Sequence, residues 1–129
     1  NKSLELLCGL MIEAAYMDGQ IDEAELNKIK FSLVNIFAED NVEVDLVLKV
    51  ALENKNNSKS LHHYTSYINK NFDDNKKLFL IEALWEIVLS DGKIHDFESN
   101  LIRRLAGLLY ISDVDSGNAK KRALDKSIN

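Results

Sequence analysis

The stretch that decides the fold is LFLIEALWEIVLSDGKIHDFE, which runs from Leu78 to Glu98. Between Leu78 and Leu89 only Glu82 and Glu86 are polar. A helix that is apolar on nearly every side is a buried helix rather than a surface one. The run is too short for a membrane span, which needs about 20 apolar residues. The stretch therefore predicts a buried central helix that ends at the turn SDGK.

An earlier stretch repeats the design of this segment. Asp18 and Gly19 stand 73 residues before Asp91 and Gly92 (91 − 18), and each pair follows an apolar run. The same offset relates three further pairs: Glu13 and Glu86, Ile21 and Ile94, and Glu25 and Glu98. The constant offset predicts a duplicated helix–turn–helix unit, in which each glycine takes the left-handed conformation that ends a helix.

Composition places the chain among small globular proteins. Residues 1–129 are expected to form one domain, which is long enough to bury a core without a disulfide or metal. The absence of proline and the presence of only 5 glycines favour helices joined by short turns. The single Cys8 excludes an internal disulfide, which favours a reducing compartment and hence the cytoplasm.

Charge and segment patterns narrow the classes of partner. The net charge of −5 and the pI near 5.2 argue against nucleic acid, because phosphate binding needs a basic face. No signal peptide or membrane segment is recognisable, and the chain starts at Asn1 without Met, which predicts a missing upstream part. Membrane association is therefore expected only through a partner or through that missing segment.

Helical periodicity predicts about seven helices with short connections, and hence an all-α, bundle-like fold. Asp22 and Glu25 have the spacing of a capping box at the start of the second helix. Ser112 or Asp113 is expected to cap a last, short helix that ends in basic residues.

The segment from Val42 to Leu52 fits two patterns. Its apolar residues alternate as in a strand, but a subset also has helical spacing: Val44, Val47, Leu48 and Ala51. A lone strand would have no partner to pair with in this chain, so we predict a helix.

The two acidic turns raise the question of a metal site. Residues 18–25, DGQIDEAE, fit positions 5 to 12 of a calcium-binding EF-hand loop. Positions 1 and 3 then fall on Ala14 and Tyr16 in the first copy, and on Ile87 and Leu89 in the second. None of these four side chains supplies a carboxylate, so a true EF-hand is disfavoured.

A divalent metal is nevertheless the alternative to a purely structural role for the turns. Its candidate ligands are Asp18, Asp22, Glu25, Asp91, Asp96 and Glu98. His95 stands where the first copy has Asp22, which argues against two symmetric metal sites. The preferred interpretation is structural and needs no cofactor: the turn aspartates hydrogen-bond the backbone, and the next acidic residues cap a helix.

Three glutamates lie within apolar helical runs, namely Glu13, Glu82 and Glu86. Glu82 and Glu86 are one helical turn apart and would repel each other if both were charged and buried. We expect them to form a solvent-facing strip or to pair with a cation such as Arg103 or Arg104. No nucleophile with an adjacent base and no glycine-rich phosphate loop is visible in the sequence.

The duplicated motif resembles that of a known family. Residues 13–25 read Glu-x4-Asp-Gly-x-Ile-Asp-x-x-Glu, and residues 83–94 and 101–112 supply the second copy and its closing helix. Together they resemble the TerB tellurite-resistance domain, which is also the N-terminal domain type of the membrane-anchored co-chaperone DjlA. The resemblance covers residues 4–124 and implies an all-α bundle with internal duplication. It implies these motif residues: Asp18, Gly19, Ile21, Asp22, Glu25, Asp91, Gly92, Ile94 and Glu98.

The resemblance also carries functional expectations. The family is associated with bacterial resistance to tellurite and other stresses, often beside membrane and calcium-binding partners, and has no established enzymatic activity. We therefore expect a non-enzymatic stress-response module that works by contact with a protein partner near the inner membrane. The alternative is a metal-ion binding domain that uses the acidic Asp-Gly turns.

Overall fold

The computed structural model of the protein describes residues 2–16, 21–54, 60–90 and 96–128. These residues form seven α-helices and contain no strand, which confirms the predicted all-α fold. In chain order the helices are α1 (Lys2–Ala15), α2 (Glu23–Asn35), α3 (Asn41–Glu53), α4 (Leu61–Asn71), α5 (Asp74–Val88), α6 (Asp96–Leu108) and α7 (Asp113–Ile128).

The central helix is α5, as its apolar sequence predicts. It packs most extensively against α7 and also contacts α1, α2 and α6. The four side chains expected in the core are all buried: Leu84, Trp85 and Val88 on α5 and Leu105 on α6. Burial of each large apolar side chain contributes roughly 1.5–3 kcal/mol, so the contacts of α5 are a main source of stability.

The predicted duplication is confirmed in the helix boundaries. The helix α2 spans Glu23–Asn35 and α6 spans Asp96–Leu108, so both ends differ by the same 73 residues (96 − 23 and 108 − 35). One pair of equivalent core positions agrees as well, because Ile29 and Ile102 are both fully buried. The two Asp-Gly turns that separate the paired helices lie outside the described residues.

The segment from Val42 to Leu52, whose apolar pattern fits both a strand and a helix, lies in helix α3. Asp40 caps it, because its carboxylate accepts a hydrogen bond from the Glu43 backbone N–H at 3.0 Å. Val44 and Leu48 are buried, as the helical pattern requires. The helix packs against α1 and α2, and an ion pair between Lys30 and Asp45 at 2.9 Å joins it to α2.

The last helix is not short, which corrects the sequence-based expectation. With 16 residues α7 is longer than any other described helix. Ser112 caps it by accepting a hydrogen bond from the Asp115 backbone N–H at 3.1 Å. Its buried side chains include Ala119 and Ala123, and such small residues permit a close approach to α5. Because α7 packs through alanines, its sequence lacks the large apolar residues that would have indicated a long packed helix.

The end of α6 is closed by side chains from two other helices. Asn69 of α4 donates a hydrogen bond to the Leu108 carbonyl at 3.0 Å, and the buried Lys77 of α5 donates one to the Leu109 carbonyl at 3.3 Å. Tyr110 follows with a φ of 62°, in the left-handed region that ends many helices. The positive charge of Lys77 also interacts favourably with the negative end of the α6 helix dipole.

Within the described ranges, none of the helices has the length and apolar character needed to cross a membrane.

Candidate functional site

The first acidic turn leads into a structural cap. Asp22 accepts a hydrogen bond from the Glu25 backbone N–H at 2.8 Å, and Glu25 accepts one from the Asp22 N–H at 3.2 Å. This is the predicted capping box. Glu25 is buried, and its carboxylate accepts the hydrogen bond at the start of α2 in the interior of the protein. Asp18 lies outside the described residues.

The second acidic turn is only partly described. Asp91 and His95 lie outside the described residues, whereas Asp96 and Glu98 occupy the first turn of α6. Asp96 is exposed and Glu98 is buried. In the part of the chain that the structure describes, no group of three or more His, Cys, Asp or Glu side chains is arranged to hold a metal ion. The metal alternative stays a prediction.

Glu82 of α5 is held by two cations of α7. Its carboxylate accepts hydrogen bonds from Arg122 and, at 3.0 Å, from the Lys126 ammonium. The cations suggested by the sequence, Arg103 and Arg104, are instead exposed on α6. The sequence of α5 alone does not show which cations pair with Glu82, because that depends on which helix packs over the polar positions of α5.

Glu86, one turn further along α5, is the more deeply buried carboxylate. The residue is 6% exposed. Its Oε1 atom lies 3.5 Å from the Lys126 Nζ atom and 4.0 Å from the Lys28 Nζ atom of α2. Its Oε2 atom is buried and has no hydrogen-bond partner among the residues that the structure describes. Such an orphaned acceptor is costly unless something donates to it.

The charges of this network shift the pKa values of two members. Burial alone would raise the pKa of Glu82, but hydrogen bonds and charge from Arg122 and Lys126 outweigh it and leave that pKa below its usual range. Burial would lower the pKa of Lys126, but its contacts with Glu82 and Glu86 leave that pKa above its usual range. Both groups are therefore charged at neutral pH, and three cations surround two carboxylates.

A cleft opens beside Glu86 between the first turns of α2, the end of α5 and the last turns of α7. It has a volume of about 400 Å³, within the range of small-molecule sites. Its lining residues are Ala24, Lys28, Glu86, Leu89, Ser90, Ala123 and Lys126. The short side chains of the two alanines leave room in the cleft. The two lysines and the Glu86 carboxylate supply charged groups to its wall. We call this feature the α2–α5–α7 cleft.

Glu13, the counterpart of Glu86 in the first repeat, has different surroundings. Burial raises its pKa, and a hydrogen bond with the Tyr64 side chain of α4 only partly opposes that rise. The neighbouring Gly9 is constrained by the same tyrosine, because a Cβ atom at Gly9 would lie 3.2 Å from the Tyr64 hydroxyl oxygen. The duplicated glutamates therefore serve different contacts in the two halves.

The outer face of α3 carries three large apolar side chains in a line. Val42, Leu46 and Val50 are 67%, 62% and 56% exposed and stand one helical turn apart. We call this feature the α3 outer stripe. It accounts for the strand-like alternation seen in the sequence, because α3 is apolar on both its buried and its exposed faces.

The spacing of four charged residues in the sequence is a signal for the charge network. Glu82 and Glu86 are four residues apart on α5, and Arg122 and Lys126 are four residues apart on α7. Two such pairs on long helices can face each other across a helix–helix contact. Nothing in the sequence indicates that Lys28 joins them, because that depends on the approach of α2 to α5.

The arrangement defines a small all-α module whose paired helices carry buried carboxylates. The chain belongs to the family described as tellurite resistance protein TerB, whose model matches residues 5–121. This confirms the resemblance seen in the sequence and makes the chain a tellurite-resistance-type domain. Neither the curated proteins nor the solved structures contain a match to the chain.

Proposed function

We propose that this domain acts in bacterial stress resistance as a non-enzymatic module that binds a protein partner. The observation that carries the proposal is the α3 outer stripe, Val42, Leu46 and Val50, each more than half exposed. Large apolar side chains aligned on one helix face are typical of protein interaction sites. The family match supplies the context of tellurite resistance.

The chemistry around the stripe defines the kind of partner. Apolar side chains spaced by four residues fit an amphipathic helix, which lays its own apolar face along them. Glu43, Glu53 and one cation, Lys49, accompany the stripe on α3, and the whole chain carries a net charge of −5. The expected partner segment is therefore an amphipathic helix with basic flanking residues, since complementary charge speeds encounter and sets orientation.

We place the module in the cytoplasm and near the inner membrane, held there by its partner. The single Cys8 supports a reducing compartment. The likeness to the domain type of a membrane-anchored co-chaperone supports the proximity to the membrane. Fractionation of cells that do and do not produce the partner tests this placement, because the domain should leave the membrane fraction when the partner is removed.

The test of partner binding uses a double variant, Leu46→Lys with Val50→Lys. Both positions are exposed, so the melting temperature should change little. The substitutions remove the apolar contact, and the two added positive charges repel a basic partner. In a deletion strain, this variant should fail to restore tellurite tolerance. Val114→Lys is the matched control, because Val114 is 71% exposed on α7, away from the stripe.

A photo-crosslinking residue at position 46 identifies the partner in the same cells. The crosslinked segment is then made as a peptide, and its affinity for the purified domain is measured by calorimetry. The proposal requires an amphipathic helical segment that binds the wild type and the control but not the double variant. Full tolerance in the double variant, with no crosslink at position 46, would refute it.

A further inference from the structure

We propose that the α2–α5–α7 cleft binds a small hydroxylated phosphate ester, with the phosphate between Lys28 and Lys126 and a hydroxyl group donating to Glu86. No part of the proposed protein interaction uses this cleft. The inference rests on the shape of the cleft, on an acceptor atom with no donor and on the charges at its mouth.

The acceptor is the observation that points to a ligand. Glu86 is 6% exposed and lines the cleft, and its buried Oε2 atom accepts no hydrogen bond from any described part of the chain. Burial of an unsatisfied carboxylate oxygen costs free energy that a bound donor would recover. The lysines approach this carboxylate only at 3.5 and 4.0 Å, both at Oε1, so a hydroxyl group of a molecule in the cleft can supply a donor that the described residues do not.

The nature of that donor follows from the local charge. The two lysines already offset the negative charge of Glu86, so its Oε2 atom fits a neutral O–H donor better than a third cation. Hydroxyl-to-carboxylate hydrogen bonds are short and strong. The ligand therefore carries at least one hydroxyl group at the Glu86 end of the cleft.

The cations indicate the anionic end of the ligand. Among the described residues, the ion pairs hold three cations, Lys28, Arg122 and Lys126, against two carboxylates, Glu82 and Glu86. The Lys28 Nζ atom is 4.0 Å from its carboxylate partner, too far for a hydrogen bond, so its N–H groups can bind a ligand. Two lysine ammonium groups act as point charges, and a phosphate, which carries up to two negative charges, gains more from them than a singly charged carboxylate does.

The size of the cleft argues for an ester rather than a bare ion. A volume of about 400 Å³ exceeds what one inorganic phosphate fills, and Leu89, Ala24 and Ala123 line part of it with apolar atoms. A short carbon chain between the phosphate and the hydroxyl group would contact those atoms. Glycerol 3-phosphate has these three parts and serves as the probe.

The experiment is a titration followed by the backbone amide NMR signals of the whole chain. Glycerol 3-phosphate should shift the signals of Ala24, Lys28, Ser90 and Ala123 in a saturable manner, and at least fivefold more tightly than inorganic phosphate. Glycerol alone should cause no saturable shift. Equal affinity for the ester and for inorganic phosphate, or no saturation with the ester, would overturn the proposal.

Three variants assign the contacts. Glu86→Gln keeps the size of the side chain but replaces half of the acceptor with a donor, so the preference for the ester over inorganic phosphate should be lost. Lys28→Gln should weaken the binding of both glycerol 3-phosphate and inorganic phosphate at least threefold. Lys30→Gln is the matched control, since Lys30 lies on the same helix but pairs with Asp45 outside the cleft.

Ala24→Leu covers the case in which a charge variant does not fold. Ala24 is exposed at the wall of the cleft, so a larger apolar side chain there fills the space without disturbing the charge network. This variant should keep the melting temperature of the wild type and lose ester binding. Ester binding that is unchanged in Ala24→Leu would place the ligand elsewhere and would reject the cleft as its site.

Discussion

Lys126 of α7 lies 3.0 Å from Glu82 and 3.5 Å from Glu86, so one ammonium group ties the last helix to two successive turns of the central one. Glu82 also accepts a hydrogen bond from Arg122. Polar attachment of this kind complements the contact between α5 and α7, which on the α7 side is made through small side chains.

The first prediction concerns Glu82→Gln. At pH 7 the substitution should lower the free energy of unfolding by roughly 1 kcal/mol, because both cations are about half exposed and such pairs contribute modestly. The pKa of Glu82 is lowered in the folded protein, so its contribution is present above the ordinary glutamate pKa and is lost as the pH falls through the folded value. The cost of the substitution should therefore shrink between about pH 5 and pH 3.

A double-mutant cycle with Arg122→Leu checks that the effect is a coupling between the two side chains. Chemical denaturation of the four proteins at pH 7 should give a coupling free energy of about 0.5–1 kcal/mol. A coupling near zero would mean that Glu82 stabilises the fold by other contacts.

The second prediction concerns the core. Leu84→Ala removes a fully buried side chain from α5 and should lower the free energy of unfolding by roughly 2–5 kcal/mol. Urea denaturation measures this loss, and the exposed Leu46→Ala is a matched control that should cost less than about 0.5 kcal/mol. Equal effects of the two substitutions would contradict the central position of α5.

The third prediction is a stabilising substitution, Glu13→Gln. Burial raises the pKa of Glu13 in the folded protein, so folding favours its protonated form. The stability linked to this group is present below the ordinary glutamate pKa and is lost as the pH rises through the folded value. Glutamine resembles the protonated acid and can still accept the hydrogen bond of Tyr64, so the variant should melt higher than the wild type at pH 7.

Thermal unfolding at two pH values shows whether the gain in stability of Glu13→Gln comes from removing the ionisation of Glu13 or from a change that does not depend on pH. The gain in melting temperature should be a few degrees at pH 7 and should vanish below about pH 4, where Glu13 is protonated in both the folded and unfolded states. A gain that is the same at both pH values would assign the effect to something other than ionisation. Tyr64→Phe should reduce the stability of the wild type at pH 7, because it removes the donor.

Much of the fold could be predicted from the sequence because its signals are local. The repeat offset placed α2 and α6 correctly, and the Asp22–Glu25 spacing identified the capping box. The length of α7 could not be predicted in the same way, since alanines such as Ala123 carry little periodic signal although they are buried.

The candidate sites depend on relationships between helices that are distant in the sequence. Lys28 and Glu86 are brought together only by the packing of α2 on α5, and the α2–α5–α7 cleft exists because three helices meet there. The two turn aspartates, by contrast, are recognisable from local motifs alone. Whether they bind a metal depends on the geometry of several ligands, which a motif does not fix.

The last prediction sets the structural turn against the metal site through Asp18→Asn combined with Asp91→Asn. Asparagine keeps the size and the turn-forming ability of aspartate but removes the charge that a hard cation needs. We expect the wild type to show no change in melting temperature with about 1 mM calcium or magnesium, a concentration at the weak end of known calcium sites. We also expect the double variant to lose little stability and no partner binding.

A bound metal would give a different result, because a ligand that binds only the folded state stabilises it by mass action. A rise of several degrees in the wild type that both substitutions abolish would establish the metal-binding alternative at the Asp-Gly turns. A rise that survives them would place the ion elsewhere, and Glu82→Gln and Glu86→Gln would be tested next. The pH dependence of such a rise would assign it further, since a carboxylate must lose its proton before it binds a cation.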